Sequence, residues 1–255
     1  MSNKETGFDV SLGKATSAFS KLLCELGTNG KRVIENLDRD PVYARRIARF
    51  MQNNGHSLYV SQMRAREIMG NNFLAIEDVI KHFGVSFTDD EMAALRDIPF
   101  SEAELLECKD THVLFPGYPI SQQEIYNRVP NLFFKKYWYN CRNLDSKKKV
   151  ELRWYLIRKD IVECSKNRTY QEQTEERLTV NEEVPRECEL IYMIILYFMV
   201  YQVRLFENVF ARCADSSYSG VRAIVGYFGS EGLHIPGCAD DRSEEHVGLA
   251  ASWKF

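Results

Sequence analysis

Five histidines and seven cysteines are the residues from which this chain could build a nucleophile, a general base or a metal centre. His56, His82, His112, His234 and His246 form no H-x-x-x-H or H-E-x-x-H pair, the spacing that sets two imidazoles on one helical face. Cys24, Cys108, Cys141, Cys164, Cys188, Cys213 and Cys238 include no C-x-x-C pair and no histidine at zinc-finger spacing, the pattern of scattered reduced thiols. A G-x-S-x-G elbow, a Walker loop and a G-x-G-x-x-G fingerprint are all absent from the sequence. Acidic residues remain. Asp240-Asp241 and Glu244-Glu245 gather carboxylates in one polar stretch, a composition better suited to a weak calcium loop than to metal catalysis. The expectation is a non-enzymatic protein with no cofactor and no metal.

That polar stretch belongs to the segment GLHIPGCADDRSEEHVGLAASWKF, which closes the sequence. Both of its ends read as strands, but residues 234–245 mix small, charged, sulfur and proline side chains with no period. An aperiodic stretch between strands is expected to face solvent as a contact surface. Its candidate ligand-binding residues are His234, Pro236, Gly237, Cys238, Ala239, Asp241, Ser243 and Glu244. Stability must then come from a frame elsewhere: the apolar run after Glu189, Trp154 and Tyr155, residues 206–210, residues 224–228, and Trp253.

The elements that would position this surface fall into two regions. Residues 1–111 read as short helices. Asp40-Pro41 opens one ahead of VYARRIARFM, Ser61 and Gly70 bracket SQMRAREIMG, Gly84 closes NNFLAIEDVIKHFG, and Thr88 or Asp89 caps the next. Ser101 with Glu104 and Ser121 with Glu124 match capping boxes. Residues 112–255 are strand-rich, with ELRWYLIRK placing Leu152, Trp154 and Leu156 on one face, then LFENVFARC, VRAIVGYF, GLHI and HVGLAASWK. Within them LIYMIILYFMVYQV runs about 14 residues where a bilayer needs roughly 20, so it reads as a buried helix opened by Pro185. The fold class is α+β.

Charge narrows the partners. A net charge of −3 leaves no basic footprint for nucleic acid or an anionic membrane. The stretch AIEDVIKHFGVSFTDDEMAAL has helix-turn-helix spacing, yet its second helix, DDEMAALRD, is acidic and repels phosphate. A phage or mobile-element accessory protein contacting nucleic acid through its helical half is the alternative reading. MSNKETGFDVSLGK lacks the apolar core of a secretory signal, so a cytoplasmic site is expected, with surface or virion display left open.

The order V-P-R-E-C-E-L opening a buried helix, then paired strands, then a polar segment closed by V-G-L-A-A-S-W-K-F, resembles the variable proteins of diversity-generating retroelements, which are prokaryotic or viral. Those proteins resemble C-type lectins of the formylglycine-generating-enzyme type. Pro185, Glu187 and Glu189 match the proline and spaced glutamates of that helix, and Val247, Gly248, Leu249 and Lys254 match its final strand. The resemblance implies a C-type-lectin-like domain over 112–255, a mixed α/β fold with antiparallel strands, and a hypervariable segment at about 233–246 that binds a macromolecular ligand, with protein the expected class. In that family the diversified codon is AAC, which cannot become Lys, Gln, Glu, Met or Trp, and HIPGCADDRS contains none of them. The helix lacks the family's tryptophan and trailing alanines, and no G-N-V-W-E-W stretch occurs, so no metal contact is carried over.

Overall fold

Helix boundaries follow the punctuation of the chain. The computed structural model describes residues 12–27, 30–39, 44, 47, 59–134, 148–216 and 220–254. The helix expected after Asp40-Pro41 and the turn expected at 217–220 lie largely outside the described residues. Two compact units are present, residues 1–58 with 255, and residues 59–254. In the first, α1 (Leu12–Leu26) packs on α2 (Gly30–Arg39), and Phe19, Leu22 and Ile34 are exposed.

The second unit opens with β1 (Val60–Ser61) and α3 (Gln62–Met69), whose N-cap Ser61 accepts from Arg64 N–H and whose C-cap is Gly70. Next come α4 (Ile76–Phe83), stopped by left-handed Gly84, and α5 (Asp89–Ala94), capped by Thr88 with Glu91. After β2 (Asp97–Ile98), Ser101 and Glu104 cap α6 (Glu102–Cys108). Beyond β3 (His112–Pro116), Ser121 and Glu124 cap α7 (Gln122–Arg128) in the same reciprocal way. The remaining elements are β4 (Trp154–Arg158), α8 (Tyr170–Arg177), β5 (Glu182–Glu183), α9 (Glu187–Tyr201), β6 (Phe210–Ser216), β7 (Val221–Gly229), β8 (Gly232–His234), β9 (Gly237–Ala239), β10 (Val247–Leu249) and β11 (Ser252–Trp253). An α+β class is what these elements make.

Three sheets result. β1 pairs with β2; a four-stranded sheet runs β3-β4-β11-β5; and β10-β6-β7-β8 form another, with β9 also on β7. The last is mixed, because β10 lies parallel to β6 while its other pairings are antiparallel. Strand alternation divides the four-stranded sheet into two apolar faces. Val113, Phe115, Tyr155 and Ile157 join the core around α9. Leu114, Trp154 and Leu156 face the other way, against Met69, Leu95, Ile98, Phe100 and Leu105. Helices α3 and α6 therefore cover one side of this sheet. That burial joins residues on both sides of position 111, the boundary expected from the change in composition, within the compact unit 59–254.

Helix α9 is the spine. It is apolar around its whole circumference, and residues 187–197 are all buried. No helix among the described residues is long and apolar enough to cross a membrane. Its first turn differs from expectation by two residues: the Pro185 carbonyl accepts from Ala214 N–H, so Arg186 is the N-cap, and Glu189 closes the turn on Arg186 N–H at 2.8 Å. Glu187 is buried, with one carboxyl oxygen lacking a partner. Burial pushes its carboxyl up to about 8, the Asp215 charge adds to this, and Gln122 and Lys148 pull the other way.

Trp154 is buried and donates from its indole N–H to Leu95 C=O at 3.0 Å, so Trp154→Ala should cost about 3–5 kcal/mol. A denaturation midpoint unchanged in that variant would contradict the packing. Between about pH 4.3, the unfolded value, and pH 8, folded Glu187 holds a proton that the unfolded chain has released. Stability should fall as pH rises through that window and level off above it. Glu187→Gln should flatten this alkaline decline in urea unfolding, whereas an equal slope in both proteins would assign the decline to another group. Glu182, held down at about 2 with His112 and Arg158 as partners, loses its contribution only as pH falls below roughly 4.3, so the two windows do not overlap.

Candidate functional site

The site is built on one buried cation. In β6, Ala211 and Cys213 point at α9, so Arg212 points to the opposite face, where it is 0% exposed. Its Nη1 donates to Arg168 C=O and Gln173 Oε1, both at 3.0 Å. Its Nη2 donates to Cys238 Sγ at 3.2 Å, Ala239 C=O at 3.3 Å and Arg242 C=O at 2.5 Å. A buried charge is tolerated only where dipoles replace water around it. These carbonyls come from two separate segments, so the guanidinium ties the loop before α8 to the loop after β9.

A second arginine fixes the same loop from its outer side. Arg222 on β7 grips Asp240 with two hydrogen bonds, at 2.9 and 3.0 Å, and lies over the Tyr170 ring at 3.5 Å. It also donates to Ala214 C=O. Main-chain bonds complete the anchoring: Tyr170 N–H to Asp240 C=O, Asp240 N–H to Gly220 C=O, Asn167 N–H to Glu244 C=O and Phe210 N–H to His246 C=O. Gln173 and Ser165 are buried beneath, bonded to Val247 C=O and Leu249 N–H. Gly248 has no room for a side chain, since a Cβ there would sit 2.5 Å from Ile161 and 2.8 Å from Ser165 Oγ.

Upon this anchored backbone the expected residues divide. Asp241, Ser243 and Glu244 are exposed, as are Arg242, Glu245 and His246 beside them. Gly237 is exposed, while Pro236 and Ala239 are half-buried. His234 is half-buried and stacks on Phe134 with ring centroids 4.0 Å apart; burial lowers its pKa. Cys238 does not face solvent. β9 pairs with β7 through Cys238 and Arg222, so alternation turns the thiol inward against Ile224 and Val247. Ile235 is buried as well, so the segment contributes to the core at two positions. Sequence reasoning missed Arg212, Arg222, Tyr170 and Phe134. The available signal was the charged residue between Ala211 and Cys213 in a strand that otherwise alternates toward a core.

Three of the loop's four acids take separate partners: Asp240 goes to Arg222, Glu244 lies 3.8 Å from Arg242, and Glu245 lies 2.9 Å from His246. Among the described residues no three His, Cys, Asp or Glu side chains come together as a metal site. Elsewhere, His112 and Glu182 are buried together, with Thr111 Oγ1 2.8 Å from His112 Nδ1. Glu182 Oε1 accepts from Arg158 Nε at 2.6 Å and lies 3.8 Å from His112 Nε2.

No protein-family model, curated protein or solved structure matches this chain.

Arg212→Met should destabilise by at least about 3 kcal/mol, because Gln173 and three carbonyls lose their donor together. Amide exchange at 239–247 should accelerate more than exchange in α9. Uniform acceleration across both would show that the arginine does not hold the loop.

Proposed function

We propose that this chain is a non-enzymatic binding protein that presents residues 234–246 to a macromolecular ligand, with protein the ligand class. The single observation supporting this reading is the division of labour in that segment. Its backbone is bonded to the buried Arg212 guanidinium and to main-chain groups of Asn167, Tyr170 and Phe210, while the side chains from Asp241 to His246 are exposed. Rigid backbone with free side chains lowers the ordering cost of binding and leaves specificity to the exposed groups. The resemblance to variable proteins of diversity-generating retroelements gives the same segment a source of variation, and a C-type-lectin-like scaffold would be its frame. The exposed acids Asp241, Glu244 and Glu245 outnumber Arg242, which favours a ligand with positive charge at its contact and works against nucleic acid.

The locus itself is the first test: a reverse transcriptase gene beside a near-copy of the last coding segment, differing from it at adenines, is expected. A locus with neither would remove diversification from the reading. Tolerance is the second test. The triple change Asp241→Asn, Ser243→Asn, Glu244→Ser should leave the melting temperature within a few degrees, since exposed substitutions cost no more than about 0.5 kcal/mol each. Cys238→Asn in the same segment should lower it clearly. Loss of cooperative melting in the triple variant would make this stretch a structural loop and end the display idea.

A further inference from the structure

Arg153, Arg158, Arg168, Arg186 and Arg222 each have a carboxylate within 4.0 Å. Lys159, Lys166 and Arg204 have none among the described residues, yet all three line one pocket of about 530 Å³ between residues 159–166 and 203–209. We propose that this pocket binds the phosphate group of a small phosphomonoester. It lies outside the 234–246 segment, so it is a site independent of the display surface.

Two of the three cations are held in place by the fold. The Arg204 guanidinium lies over the rings of Phe198 and Phe228, at 4.9 and 5.6 Å, which fixes its plane and leaves its donors available. Lys159 is half-buried, with its ammonium 3.4 Å from Asn72 Oδ1. Lys166 is exposed and completes the set. Two acids share the lining, Asp160, whose carboxylate accepts from Ile161 N–H at 2.7 Å, and Glu207, so the three cations outnumber the opposing charges by one. The loop is also conformationally specified: Phe206, buried in the lining, has a φ of 53°, a left-handed geometry that an aromatic residue adopts only when its surroundings impose it.

Charge and size choose the ligand class. A phosphate monoester carries nearly two negative charges at about pH 7.5 and offers three acceptor oxygens, matching three separated cations better than a carboxylate with one charge. The volume falls in the usual range for small-molecule sites and exceeds what an isolated phosphate fills. Ile161, Val203 and Leu205 supply the apolar wall for the rest of the molecule.

Phenyl phosphate, inorganic phosphate and benzoate are the probes, each titrated into the full-length protein by calorimetry and by amide shifts at 159–166 and 203–209. Saturable binding of phenyl phosphate is expected, at least tenfold tighter than inorganic phosphate or benzoate and weakened by added salt. Lys166→Gln alters an exposed side chain without touching the core and should reduce that affinity at least tenfold. Lys159→Gln should do the same, and Lys81→Gln, on exposed α4 surface, should leave it unchanged. Absence of saturation at about 10 mM would overturn the proposal. So would benzoate binding as tightly as phenyl phosphate, or equal affinity in the Lys166 and Lys81 variants. Failure here leaves the loop-tolerance result untouched, because no display residue lines the pocket.

Discussion

Burial of Arg212 is the constraint around which the C-terminal half is arranged. An arginine is not deprotonated in a protein, so a guanidinium with no exposure must be surrounded by acceptors. Here no carboxylate contacts it among the described residues. Backbone carbonyls of Arg168, Ala239 and Arg242, with the Gln173 amide oxygen, take that role. Acceptors from distant positions can converge only if both loops are folded in one arrangement. The charge thus converts what would be flexible connections into a defined geometry, a use of buried polar groups that trades some stability for conformational specificity.

The same strand couples that geometry to the main core. One face of β6 carries Ala211 and Cys213 into the cluster around α9, and the other carries Arg212 into the loop network. α9 in turn presses on the four-stranded sheet through Tyr192, which stacks on Phe115 and donates to Pro116 C=O at 3.0 Å. Trp154 and Leu156 pass the contact through the sheet to α3 and α6. A residue of the loop and a residue of the N-terminal helices of this unit are therefore linked by close packing through two sheets.

Much of this was legible from sequence because it is local. Each of Ser61, Thr88, Ser101 and Ser121 caps the helix whose start it marked, since a cap needs only residues three apart. The buried helix was legible because the run LIYMIILYFMV from Leu190 to Val200 carries no charged side chain and leaves no polar face. What sequence could not supply is pairing. The compositional change near residue 111 suggested a boundary, but a strand's two faces are assigned only when its neighbours are known, and Leu114 and Trp154 face the preceding helices. Cys238 looked like part of a polar run because its inward direction depends on register with Arg222. Arg212 looked like an ordinary charge in a strand because its acceptors come from residues 30 positions downstream and 44 upstream.

Register also limits what a display segment of this architecture can vary. At His234 and again from Gly237 to Ala239 the backbone pairs with β7, and Ile235 and Cys238 are buried against the sheet. Replacing either with a larger or charged residue costs packing or desolvation at the sheet, whatever the ligand. From Asp241 to His246 no ladder exists, and the anchoring contacts use main-chain atoms of Arg242, Glu244 and His246. These anchors are main-chain carbonyls, which every residue type carries, so this half of the segment can change its side chains while keeping them. As the proposed binding surface, the segment would take its fixed shape from the first half and leave specificity to the second.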